Sequence, residues 1–264
     1  MQVALQIVRV DTLLAPVPNP PVIVGIGLNY WGHINATHLP APKTPSVFSK
    51  WKHSYNHPNQ PILIPPKSSK PDYEGELAVV FGKDCKDVTE DEALSCIAGY
   101  TVCHDVSARC YQSDKEQGCP GNGGQFSFSK GFDGHGPLGP ALVPQRGLGD
   151  ASGLVLQTRV NGALRQNVTT SELIYGVKKI VSFITTATTV DKGTVVCTGT
   201  PDGVGDTMKP PQYLQDGDVV EITIDKIGTL KNTVARPASD KAYKAESVRG
   251  FRKVAALDLV KALF

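Results

Sequence analysis

The sequence predicts an α+β domain dominated by strands. Glycine and proline are abundant, with 26 Gly and 20 Pro among 264 residues, which suits a turn-rich chain better than a helical bundle. Short apolar runs bounded by turn residues recur along the chain at 22–26, 73–81, 99–106, 154–160, 194–198 and 218–224. Helical signals are confined to three segments, 87–97, 171–186 and the C-terminal end.

The start, residues 1–11, has no basic region ahead of its short apolar run, and no apolar stretch approaches the roughly 20 residues of a membrane span. A soluble, unprocessed, cytoplasmic protein with no membrane partner is expected. Prolines between 16 and 21 lead into the first strand, VIVGI at 22–26. Residues 28–45 read as a loop or short helix, followed by SVFSK at 46–50. YEGELAVVF at 73–81 begins with acidic residues and continues as an uninterrupted apolar run, the pattern of a strand buried on both faces. Thr89 with Glu92 three positions later reads as a capping box opening a helix over 87–97, and a strand over 99–106 follows. Asn161-Gly162 after the strand 154–160 signals a hairpin, and 171–186 reads as a helix. At the end, Phe251, Val254, Leu257, Val260 and Leu263 recur at helical spacing, predicting an amphipathic helix that packs on the body or across a dimer, with a membrane-surface helix as the alternative. The organisation expected is a lead-in over 1–21, a catalytic domain over 22–235 and an extension over 236–264.

Charge is nearly balanced, 27 Lys+Arg against 25 Asp+Glu, with no dense basic cluster, so no nucleic-acid partner is expected. Six cysteines without a CxxC pair point to reduced thiols. The even spacing of Cys96, Cys103 and Cys110 brings nothing together on strand and loop text, so these read as small buried hydrophobes.

Chemistry enters at Glu74 and Glu76. On a strand they point to one side, a few ångströms apart, at the polar end of an apolar run. Like charges that close need a cation, or one must be protonated. Asp105 sits at the polar end of the other apolar run. Three hard oxygen donors select Mg2+, Mn2+ or Ca2+ over zinc. An exposed edge with ordinary salt bridges fits the same pattern equally well.

The blocks DYEGELAVVFGKD (72–84), IAGYTVCHDVSARCYQ (97–112), FSKGFDGHGPLGPALV (128–143) and TGTPDGVG (198–205) closely resemble the fumarylacetoacetate hydrolase superfamily, in its order and at about its spacing. GIGLNYWGH (25–33), VNGALRQ (160–166) and GDVVEITIDKIGTLKNTV (217–234) extend the resemblance over about 22–235. It implies a mixed β-sandwich roll, usually a homodimer, with Mg2+ or Mn2+ held by Glu74, Glu76 and Asp105. The implied substrate is a 2-oxo acid or 1,3-dicarbonyl reacting through an enolate whose charge the cation stabilises. Lys130 matches the family's active-site lysine. Arg109 and Gln112 correspond to positions that orient the substrate's carboxylate and carbonyl, with structural ion pairing the rival reading for Arg109. Thr200 corresponds to a donor to the substrate, between glycines that let the backbone approach.

His33 matches the family's lid histidine, and hydrolytic members carry a glutamate three residues later that helps it activate water. Here that position is Ala36. Two further departures are His104, which reads as packing more than as a neighbour of the metal, and a glycine-rich loop over 113–124 that would wall the substrate. Decarboxylation or C–C bond cleavage is the first expectation on the family's habits. The alternatives are a tautomerase, isomerase, dehydratase or cyclase acting on a β-dicarbonyl, favoured by the loss of the glutamate, and a non-catalytic binding protein that keeps the metal pocket.

Overall fold

The computed structural model describes residues 12–112 and 124–244. Residues 113–123 of the loop predicted over 113–124, the start at 1–11 and the terminal helix predicted over 251–263 lie outside the described residues. In chain order the elements are β1 (Ile23–Gly27), α1 (Trp31–Thr37), β2 (Ser46–Lys50), β3 (Tyr55–Asn56), β4 (Ile62–Leu63), β5 (Pro71–Asp72), β6 (Gly75–Phe81), β7 (Ile97–His104), β8 (Ser107–Ala108), α2 (Phe126–Lys130), β9 (Gly136–Pro144), α3 (Gln145–Leu148), β10 (Val155–Val160), β11 (Ala163–Thr169), α4 (Val177–Ile184), β12 (Val195–Cys197), β13 (Val219–Ile224) and β14 (Gly228–Ala235). A mixed seven-stranded sheet has the order β2-β1-β12-β6-β7-β9-β3, and a five-stranded sheet the order β11-β10-β13-β14-β4. The strand-rich α+β sandwich that the sequence predicts is what forms.

Every residue of β6 is buried, because both of its faces are covered. Leu77, Val79 and Phe81 join Leu156, Ile222 and Leu230 of the five-stranded sheet in the main core. Ala78 and Val80 belong to a second cluster with Cys103, Leu138 and Val195, which the lead-in completes with Ala15 and Val17. The period of two is thus filled on both sides, at about 1.5–3 kcal/mol for each large side chain withdrawn from water. The hairpin at Asn161-Gly162 is present as a two-residue turn between the paired Val160 and Ala163, with φ of 51° and 79°.

Three expectations are corrected. The capping bonds at Thr89 form, since the Thr89 N–H donates to Glu92 Oε2 at 2.9 Å and the Glu92 N–H to Thr89 Oγ1 at 3.3 Å. Only a 3-10 turn, Ala93–Cys96, follows, because β7 pairs with β6 from Ile97 opposite Phe81 and the connection has to return to that point. The same return brings Cys85 and Cys96 to a Cα separation of 6.3 Å, where they form a disulfide, so these two are not reduced thiols. The segment 171–186 is broken into a capped 3-10 turn, Thr170–Glu172, and α4. Asn29 causes the break: its backbone oxygen accepts from the Ile174 N–H at 2.9 Å and its Oδ1 from the Tyr175 N–H at 2.8 Å.

Two outcomes follow. Gly162→Ala would lower stability by about 1 kcal/mol through backbone strain, since a Cβ there meets nothing within 4 Å; chemical denaturation measures it. The fully buried His104 and His135 have pKa values that burial, reinforced by Lys50, pushes down to about 3. Stability they confer is present above the unfolded value near 6.5 and is lost as pH falls from there toward 3, so the Tm should drop steadily between pH 7 and 5.

Candidate active site

The register of β6 against β7 sets Gly75 opposite His104 and Glu76 opposite Cys103. Glu74 and Asp105 therefore lie side by side just past the paired ends, and the Asp105 N–H donates to the Glu74 carbonyl at 2.9 Å. Glu74, Glu76 and Asp105 are all buried, and ligand oxygens of the three lie within 4.8 Å of one another. The exposed-edge reading is excluded.

The cations around them were only partly visible in the sequence. Lys130, in the last turn of α2, donates to Glu74 Oε2 and to Asp105 Oδ2, each at 2.6 Å. Arg109 Nη2 reaches Glu74 Oε1 at 2.7 Å, its Nε reaches Asp72 Oδ2 at 2.8 Å, and its Nη1 reaches Gln112 Oε1 at 3.2 Å. Its fork is engaged inside the protein, which is the ion-pairing reading. Lys50, at the end of β2 and 1% exposed, donates to Asp105 Oδ1 at 2.5 Å and to the His135 carbonyl at 2.9 Å. Asp72 also accepts from the Gly205 and Asp206 N–H groups.

Glu76 has no cation in ion-pair contact among the described residues, and the Gly199 N–H donates to its Oε2 at 2.7 Å. Gly199 has φ of 104°, and a Cβ there would come within 2.7 Å of Asn29 Cβ, so only glycine delivers that N–H. Thr200, predicted to donate to the substrate, gives its hydroxyl hydrogen to the Gly75 carbonyl at 3.2 Å and accepts from Gln166 Nε2 at 2.8 Å. His33, Glu74, Glu76, Arg109, Gln112, Lys130 and Thr200 line one cavity of about 410 Å3 with apolar walls that include Phe48 and Phe126; Asp105 lies behind it. His104 is buried with its Nε2 unpartnered among the described residues.

The two glutamates titrate apart. Burial alone would raise Glu74, but Lys130 and Arg109 outweigh it and hold the carboxyl down at about 2. Burial, with Asp105 and Glu74 beside it, pushes Glu76 well above the ordinary range. Among the described residues, four buried carboxylates, Asp72 included, face three cations, and Glu76 is the one left without an ion-pair partner. A hard divalent cation fits this donor set, since oxygen is the only donor and the uncompensated carboxyl belongs to it. Burial lowers His33 to about 4, so its imidazole is neutral at physiological pH.

A sequence model described as fumarylacetoacetate (FAA) hydrolase C-terminal matches residues 22–235. The chain belongs to the fumarylacetoacetate hydrolase family. Within this enzyme family, a protein of Xenopus laevis named oxaloacetate tautomerase, mitochondrial, is 42% identical over 223 residues, covering 84% of this chain and 68% of that protein. Among solved structures, 5-carboxymethyl-2-hydroxymuconate delta-isomerase from Mycobacterium smegmatis superposes with a TM-score of 0.74 at 37% identity, covering 86% of this chain and 83% of that one. 2-Hydroxyhepta-2,4-diene-1,7-dioate isomerase from Mycobacterium marinum gives 0.72 at 38% identity, over 86% and 78%.

Lys50, Asp72 and Gln166 stand inside blocks that the sequence singles out, yet nothing local marks them; their partners come from other elements. Binding of Mg2+ should release a proton from Glu76, with release greater at lower pH, read by calorimetry in buffers of different ionisation enthalpy. Glu76→Gln should abolish that release and weaken Mg2+ binding more than about 100-fold, beyond the usual loss for a residue that only supports a ligand.

Proposed function

We propose that this enzyme is a metal-dependent tautomerase of a 2-oxo acid, with oxaloacetate the first candidate substrate. The observation that carries it is His33, buried in α1 and lining the same cavity as Glu74 and Glu76, with alanine at position 36. That arrangement supports moving a proton more readily than activating water. The relatives named as tautomerase and isomerases support the same choice over decarboxylation or C–C cleavage, which the sequence ranks first.

Glu74, Glu76 and Asp105 would hold Mg2+ or Mn2+, which when bound supplies Lewis-acid stabilisation of negative charge on the substrate's oxygens. The chain's own residues do the rest. In the keto form the C3 hydrogen is acidified by the flanking carbonyl. His33 accepts that proton at a ring nitrogen, and the electron pair moves to the C2 oxygen. The same imidazolium, made strongly acidic by its buried setting, returns the proton to that oxygen and yields the enol. Lys130 keeps its proton throughout, because Asp105 and Glu74 raise its pKa against the opposing effect of burial. It therefore acts as a fixed positive charge near the developing enolate. Phe48 and Phe126 give the cavity apolar walls beside these polar groups.

The test follows enol absorbance and CO2 release in one reaction with oxaloacetate, in Mg2+, in Mn2+ and in EDTA. Metal-dependent acceleration of keto–enol exchange without CO2 is expected, and His33→Asn should slow it by about 100-fold or more. Metal-dependent CO2 release as the main product would overturn the reading in favour of decarboxylation.

A further inference from the structure

We infer that Asp202 is a positioning residue for His33, standing in for the carboxylate that position 36 of the lid helix lacks. This rests on the reading of His33 as the proton carrier. Gly32 precedes His33 in α1, and a Cβ built on Gly32 would fall 2.2 Å from Asp202 Oδ1 and 2.9 Å from its Cγ. The Asp202 carboxylate thus fills the space that any other residue at 32 would claim. Alanine is the better helix former, so the packing of this carboxylate accounts for the glycine.

Asp202 is held where it is by the turn that carries it. Gly203, next in the chain, has φ of 92°, and a Cβ there would lie 2.0 Å from the Arg165 carbonyl oxygen. Gly199, three residues before Asp202, is confined in the same way against Asn29. The turn that presents Thr200 to the cavity therefore also presses a carboxylate on the lid helix. The charged groups acting on His33 are Glu74, Arg109, Lys130 and Asp202. Glu74 is already answered by Lys130 and Arg109. Asp202 makes no ion pair among the described residues, so its charge is available to favour a proton on the imidazole. Ala36, one turn further along α1, offers nothing of that kind.

Asp202→Asn keeps the shape and removes the charge, whereas Gly32→Ala keeps the charge and displaces it. Both variants should lower kcat for oxaloacetate enolisation about tenfold, with KM and the Tm little changed. Combining His33→Asn with Asp202→Asn should be no slower than His33→Asn alone. Ala36→Glu placed in the Asp202→Asn background should restore part of the loss. A readout without substrate is the His33 ring resonance in labelled protein: the pH at which it protonates should fall in both variants. An unchanged His33 midpoint, or losses that multiply in the double variant, would overturn the inference. Absence of oxaloacetate turnover in the unmodified protein would instead refute the tautomerase reading, and the resonance comparison would still decide on Asp202.

Discussion

A chain of alternating charges, Asp72–Arg109–Glu74–Lys130–Asp105–Lys50, runs through the wall of one cavity, largely withdrawn from water, and the geometry around it follows from keeping every member paired. Removing these charges from water is expensive, and leaving one partnerless in such a setting costs about 3–5 kcal/mol. The strand ends are therefore constrained in two ways at once. Apolar residues fix the register of β6 on β7, and the same register must deliver Glu74 and Asp105 to a lysine arriving from α2 and another from β2. The network stores little net stability of its own. It specifies where each carboxylate points, and of the three clustered acids it leaves Glu76 without an ion pair among the described residues.

That asymmetry links packing to chemistry. Glu74, held ionised by two cations, and Glu76, pushed toward its neutral form, are two residues apart and differ only in their surroundings. Burial pushes Glu76 toward its neutral form and also strips His33 of its proton, so a carboxyl that a bound cation would ionise and a neutral imidazole line the same small volume. The proposed enolisation would draw on both.

Much of this was legible in the sequence, and the boundary between what was and was not is physical. Glu74, Glu76 and Asp105 could be found because strand periodicity is local and acids at the end of an apolar run stand out. Lys50 and Asp72 could not, because their partners Asp105 and Arg109 lie 55 and 37 residues away and no local pattern encodes such a meeting. The predicted long helix over 171–186 failed for the same reason: the residue that interrupts it, Asn29, bonds across 146 residues. Thiol state was misread because the approach of Cys85 to Cys96 depends on how the connection between β6 and β7 folds back. Family resemblance supplied the site's membership, while local spacing supplied only its carboxylates.

Gln166 belongs to β11, an edge strand of the five-stranded sheet, yet its side chain accepts from the Gly75 N–H at 3.0 Å and donates to Thr200 and to the Pro201 carbonyl. One amide thus fastens the layer that holds no ligand to the start of β6 and to the glycine turn. The two layers are thereby joined mechanically: displacing the outer sheet would pull on the Gly75 N–H and on Thr200, which lines the cavity. Transplanting the catalytic strands onto another scaffold without that distant edge would lose the alignment even if every reactive group were kept.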